Sequence, residues 1–163
     1  MCYCDSLKNF DECCAPIIKK QKKAETATEL MRSRYSAYAT KDAQYIVDTY
    51  HSSKRSEHSV ADIQAWAGQT QWLQLEVTQR SILVLNEADN TSHEQVRFTA
   101  TYLHDKRLYK MSELSSFLIE DGEWRYLDGD DIEHTDLGKV KSNDSCPCQS
   151  GKKFKKCCLL KLK

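Results

Sequence analysis

Between positions 15 and 145 the chain has no cysteine, although it holds eight in 163 residues. The long middle therefore carries no thiol chemistry, and every sulfhydryl lies near an end. Only two prolines and five glycines are present, which leaves few places for a catalytic loop. No apolar run approaches the roughly 18 residues that span a bilayer. The opening Met1-Cys2-Tyr3-Cys4-Asp5 lacks a basic n-region and an apolar h-region, so no signal peptide is expected and a cytoplasmic address is the default. There is no glycine-rich phosphate loop, no His-Glu-x-x-His and no Gly-x-Ser-x-Gly. Any small-molecule site would have to be formed by the folded middle of the chain.

Net charge is also absent, with 24 bases against 24 acids, but the balance is uneven. Residues 139–163 hold eight lysines and one acid, Asp144. Residues 1–23 hold five lysines against Asp5, Asp11 and Glu12. An acidic centre thus lies between two basic ends. Such a tail is ordinarily a solvated surface; as a binding site it fits an acidic protein face, a ribosome or RNA.

What the ends do contain is cysteine in one repeated spacing. Cys2, Cys4, Cys13 and Cys14 match Cys146, Cys148, Cys157 and Cys158 as Cys-x-Cys-x8-Cys-Cys. A Cys-x-Cys pair presents two sulfurs together, and a returning turn of eight residues delivers two more. Four converging thiolates suit tetrahedral Zn²⁺ in a closed structural site, so two zinc ions per chain are expected. Disulfides are the bland alternative, but vicinal and Cys-x-Cys bridges are strained and nothing indicates an oxidising compartment. Over thirteen positions the copies share seven identities, the cysteines plus Ser6 with Ser150, Lys8 with Lys152 and Phe10 with Phe154. Gly151 can take positive φ and reverse the chain; the first copy has Leu7 there, so it should lean on the main domain for stability. Phe154 is expected to form the knuckle's small core.

The second copy, Cys-Pro-Cys-Gln-Ser-Gly-Lys-Lys-Phe-Lys-Lys-Cys-Cys, resembles the SEC-C motif at the C-terminus of the bacterial secretion motor SecA. The resemblance implies zinc binding and, in some carriers, docking to a chaperone or ribosomes. The family's frequent last-position His is here Cys158.

The middle reads as α+β. Ala27, Leu30, Met31, Tyr35 and Tyr38 recur at helical spacing within 24–39, and Ala43, Ile46, Val47 and Tyr50 within 42–51. Ser59 can cap a third helix bearing Val60, Ile63, Trp66 and Ala67. After Gly68 the period becomes two, with strands expected at about 71–85, 93–104, 107–120 and 123–128. The first is long enough to need a bend, and Asp121-Gly122 is a hairpin turn. Helices followed by a meander argue for a curved antiparallel sheet with helices on one face.

This order resembles the nuclear transport factor 2-like cone. With a knuckle at each end, the whole chain is similar to the YchJ family of bacterial proteins, carried by Met31 to Tyr38, Thr49-Tyr50-His51, Glu113 to Phe117, Asp121-Gly122-Glu123-Trp124 and Asp128-Gly129. The resemblance implies three parts: an N-terminal knuckle over 1–16, an α+β domain over 24–135 and a C-terminal knuckle over 139–163. It supplies a fold and a metal rather than a reaction.

Within the cone, Glu113 stands on an otherwise apolar strand face, where an unpaired carboxylate is expensive. Either it stays protonated and neutral, or it meets a cation such as Arg32, Arg34 or Arg55; a structural ion pair is favoured over a catalytic role. Arg32 and Arg34, two apart, point to different sides of their helix, so at most one enters the pocket. His51 is expected to end the second helix and suit its dipole; with Glu113 it is the candidate acid–base set. Trp66, Trp72, Trp124 and Tyr126 are read as core. The favoured function is a zinc-containing binding module that docks an acidic partner through Lys152, Lys153, Lys155 and Lys156. An enzyme or small-molecule binder using the cone is the alternative. Nucleic acid is the less favoured partner, no membrane is expected, and the open sheet is compatible with a homodimer.

Overall fold

A computed structural model describes residues 1–86 and 91–162. Five helices precede four strands: α1 (Ala15–Ile18), α2 (Ala27–Thr40), α3 (Ala43–Asp48), α4 (Ser52–Arg55), α5 (Val60–Gln69), β1 (Thr70–Asn86), β2 (Thr91–His104), β3 (Arg107–Glu120) and β4 (Glu123–Lys139). Side-chain oxygens start three of the helices. Thr26 accepts from the Glu29 amide, Asp42 from that of Tyr45 and Ser59 from that of Asp62, each satisfying a backbone donor that has no intrahelical partner. Among the described residues no helix is long and apolar enough to cross a membrane.

The strands form one antiparallel meander in the order β1-β2-β3-β4. Residues 72, 75, 96, 98, 100, 102 and 117 turn one face toward the helices, and Val96, Ala100 and Phe117 are completely buried there. Register shifts after Trp72, Val77 and Gln79 bend β1, as bulges do. Asp121 and Gly122 both have positive φ (53° and 72°) in the β3–β4 turn, and Asp105 and Lys106 do the same (47° and 60°) between β2 and β3. Paired positive φ values match the twist of a two-residue hairpin.

Three features depart from the sequence reading. β4 continues to Lys139, past the expected end at 128. Its outer half, rich in Asp and Glu, looks like a loop but pairs along β3 from Ser115 to Arg107. The helix expected over 42–51, α3, ends at Asp48, so His51 does not cap a helix C-terminus; it is the N-cap of α4. A short helix, α1, also follows the first knuckle.

Candidate functional site

Each cysteine cluster gathers four sulfurs within 4.8 Å of one another. Cys4 lies 3.6 Å from Cys13, and Cys13 lies 3.9 Å from Cys14. In the second cluster Cys148 is 3.3 Å from Cys146 and 3.5 Å from Cys157. Zinc–sulfur bonds of about 2.3 Å place the corners of a tetrahedron about 3.8 Å apart. These spacings approach that edge and are far from a bonded disulfide, so the residues present fit a tetrahedral metal ion.

The copies match in conformation as well as in spacing. Cys2 N–H donates to Lys8 O and Cys146 N–H to Lys152 O, at 2.7 and 2.8 Å; Cys13 N–H and Cys157 N–H donate to Phe10 O and Phe154 O, both at 3.1 Å. The Ser6 and Ser150 hydroxyls stand 3.1 and 3.2 Å from Cys13 and Cys157 sulfurs, and accept from the Lys8 and Lys152 amides. Outer-shell bonds of this kind fix the direction of a metal ligand, which gives the shared serine a physical role. Burial and neighbouring thiols divide the protons unevenly. The Cys14 thiol, foremost among its neighbours, holds Cys4 well below the ordinary thiol value, while Cys14 itself is raised. In the second cluster burial opposes ionisation of Cys148, yet hydrogen bonds from Ser150 and Cys146 prevail and lower it; burial raises Cys158.

The clusters are anchored differently. Cys2, Cys4 and Cys14 belong to the main core with Ile17, Leu30, Met31 and Tyr35. Arg32 donates to the Cys4 carbonyl, and Ser36 Oγ lies 3.7 Å from Cys2 Sγ. The second cluster has a core of its own, in which Cys146, Cys158 and Phe154 pack on Leu103 with Leu73 and Leu108, on the outer face of the sheet. Gln71 Nε2 donates to Cys158 Sγ at 3.2 Å, a bond no sequence signal marks. Lys152, Lys153, Lys155 and Lys156 are all exposed, and none forms an ion pair among the described residues. Near the first knuckle, by contrast, Lys20 pairs with Asp48, Lys22 with Glu25 and Glu29, and Lys23 with Glu123.

A cavity of about 170 Å³ opens between helices and sheet, lined by Arg34, Glu113 and a mostly aromatic wall that includes Tyr38, Trp66, Trp72 and Tyr126. Of the candidate pocket residues, the structure brings Arg34 and Glu113 to this cavity. Arg32 faces the first knuckle instead, the opposite sides expected of positions two apart. His51 is also elsewhere: Nδ1 accepts from the Ser53 amide, and Nε2 lies 3.6 Å from Glu120. The pairing of His51 with Glu113 as acid and base therefore has no geometric basis. Arg55 likewise binds the Tyr50 carbonyl and faces Glu120. Trp66, Trp72 and Tyr126 line the cavity, whereas Trp124 does not; its indole donates to Glu25 O.

Arg34 is 6 % exposed. Its guanidinium carbon sits 4.5 Å from the ring centres of both Tyr50 and Tyr126, and Nη1 donates to Ile46 O and Thr49 Oγ1 at 2.8 and 2.6 Å. The clamp is set by a short bridge, in which His51 N–H donates to Tyr126 O and Tyr126 N–H to Thr49 O. Glu113 Oε1 accepts from Ser115 Oγ at 2.6 Å and Tyr126 OH at 2.8 Å. Burial, and next the Glu113 charge, raise the Tyr126 phenol well above its ordinary value, so it stays a donor. Gly129 closes over this pair: a Cβ there would stand 2.6 Å from Glu113 Cδ. Sequence patterns flag neither Tyr126 nor Gly129 for these contacts.

Residues 26–129 match the family described as YchJ, middle NTF2-like domain, and residues 143–160 match the SEC-C motif. A UPF0225 protein from Photorhabdus laumondii is 38% identical over 160 residues, covering 97% of this chain and 98% of its own. Two solved structures are similar, each at 29% identity. One is the solution structure of a SEC-C motif containing protein from Rhodopseudomonas palustris, with a TM-score of 0.70 over 81% of this chain and 98% of that one. The other is the crystal structure of a SEC-C motif containing protein from Psychrobacter arcticus, with a TM-score of 0.63 over 98% of this chain and 94% of that one. With its nuclear transport factor 2-like middle and a SEC-C motif behind it, the chain belongs to the YchJ family.

Proposed function

We propose that this protein is a cytoplasmic docking module that holds two zinc ions and presents its C-terminal knuckle to an acidic partner surface, on a ribosome or a chaperone-bound protein. The carrying observation is the set Lys152, Lys153, Lys155 and Lys156: four exposed cations on a folded knuckle, with no acidic neighbour in ion-pair range among the described residues. Their carrier is rigid, since Phe154 is 1 % exposed and Phe154 N–H and Cys146 N–H are bonded to Asp144 O and Lys152 O. Free cations on a fixed frame raise association rates with an acidic surface and lose that advantage in salt. Zinc is the ion these donors favour, because four thiolates at tetrahedral spacing suit it and the cytoplasm keeps them reduced.

Two measurements test this reading. Elemental analysis of protein purified without added metal should give two zinc ions per chain; a different metal in that amount replaces zinc in the proposal, and metal-free reduced protein removes it. Co-sedimentation with purified ribosomes over a salt series should show binding that weakens with salt. It should be lost when the four lysines are changed to Glu with zinc content unchanged. Equal sedimentation of both forms would sink the docking role.

A further inference from the structure

Arg34 and Glu113 both contact Tyr126 in the cone but form no ion pair with each other. Among the described residues no carboxylate stands within 4.0 Å of the Arg34 guanidinium, although its side chain is buried. Nη1 uses both of its hydrogens on Ile46 O and Thr49 Oγ1. The three N–H groups on Nη2 and Nε have no partner there. These free donors are not sealed from solvent but open on the cavity that Arg34 lines, and the planar fork they form is shaped for a carboxylate. The two tyrosine rings at 4.5 Å hold that plane in place. Glu113 is the complement. It is 9 % exposed, and its Oε1 is fixed by two hydroxyl donors while Oε2 has no partner among the described residues.

We propose that the cone cavity binds a small zwitterion, of the size and class of an amino acid or an N-methylated amino acid. Its carboxylate lies on the free edge of Arg34 and its ammonium faces Glu113. Three observations select this class. Among the described residues Arg34 and Glu113 are the only charged groups in the lining, so a ligand of zero net charge with separated poles satisfies both, whereas an anion or a cation satisfies one. The volume of about 170 Å³ is close to the roughly 150 Å³ that holds a benzene molecule, which limits the ligand to a few heavy atoms beyond its two charged ends. The wall is aromatic, and Trp, Tyr and Phe faces attract an ammonium and its methyl groups. Trp66, 38 % exposed, brings the lining to the surface. This inference is independent of the docking role, since the lysines of the C-terminal knuckle are absent from the lining.

Full-length, metal-loaded protein titrated with glycine betaine and with L-alanine tests it, by calorimetry and by tryptophan fluorescence, because Trp66 and Trp72 line the site. Propionate and tetramethylammonium serve as the separated halves. A saturable response is expected for at least one zwitterion, at least about tenfold tighter than for either half. Glu113→Gln, which keeps the shape, should weaken it about tenfold, and Arg34→Lys by at least as much, each variant first shown to be folded by circular dichroism. If Arg34→Lys does not fold, Glu113→Gln and the two halves decide alone. No saturable response to either zwitterion up to about 10 mM, a half that binds as tightly, or unchanged binding in Glu113→Gln overturns the proposal.

Discussion

Leu7 carries the cost of the first knuckle's altered sequence. It has φ 62° where Gly151 of the second copy has 72°, and an L-residue in that region loses roughly 1–2 kcal/mol. The side chain is 76 % exposed, so removing it sacrifices little packing. Leu7→Gly should therefore stabilise the metal-loaded form of the first knuckle by about 1 kcal/mol, read as tighter metal retention by that site in a chelator competition; an unchanged affinity would show that the strain is relieved elsewhere. His58 is a second local case. It stacks on Tyr50 at 3.9 Å and 17°, and burial, then the Arg34 charge, lowers it from its ordinary 6.5. The folded state thus prefers the neutral ring. Its contribution to stability is full above about pH 6.5 and lost as pH falls through the lowered folded value. An NMR titration of the His58 ring should find its midpoint below 6.5; a midpoint at or above 6.5 contradicts the stack.

At the scale of elements, α2 does two jobs because 3.6 residues make a turn. Met31, Arg34, Tyr35 and Tyr38 face the cavity, while Arg32 and Ser36 reach the first knuckle. One helix therefore connects a cysteine cluster to the cone. β4 serves the same cavity from the other side, where Tyr126 contacts both charged side chains and Gly129 leaves room for Glu113. A Cβ at 129 would meet Glu113 Cδ and Oε1 at 2.6 Å and Tyr126 OH at 2.8 Å, and Glu113 cannot yield easily because two hydroxyls hold it. Gly129→Ala should cost about 1–3 kcal/mol, seen as a lower urea midpoint at unchanged slope. A midpoint equal to wild type would mean the strand shifts instead.

Across the whole molecule the two knuckles differ in what they hold. The first is continuous with the main core, whereas the second packs in a separate cluster on Leu103 and its neighbours. Losing a ligand from the first, as in Cys4→Ser, should lower the melting temperature of the entire domain by roughly 5 °C or more, about 2 kcal/mol in a chain of this size. Cys148→Ser should abolish metal binding at the second cluster and move the main transition less. Equal shifts in thermal melts followed at Trp72 would show that both knuckles are structural to the same degree. The Gln71 bond to Cys158 is a polar tie between the second knuckle and β1, so Gln71→Leu should weaken metal binding at that cluster while leaving the main transition in place.

Much of this was legible because it is local. Thirteen residues carry all four cysteines of each cluster, so spacing alone placed the sulfurs together, and helical and alternating periods marked α2, α3, α5 and the first three strands within a few residues, but only the first six residues of β4. The hairpin at Asp121-Gly122 follows from backbone preferences of those two residues. The acidic half of β4 was hidden because an exposed edge strand buries little, and its pairing with β3 is the main evidence for it. Which arginine entered the cone, why His51 stayed outside it, and how Glu113 came to share Tyr126 and Gly129 were decided only by tertiary structure. Those contacts join residues 34, 50, 113, 126 and 129, and no local pattern encodes the packing angle between α2 and the sheet that brings them together.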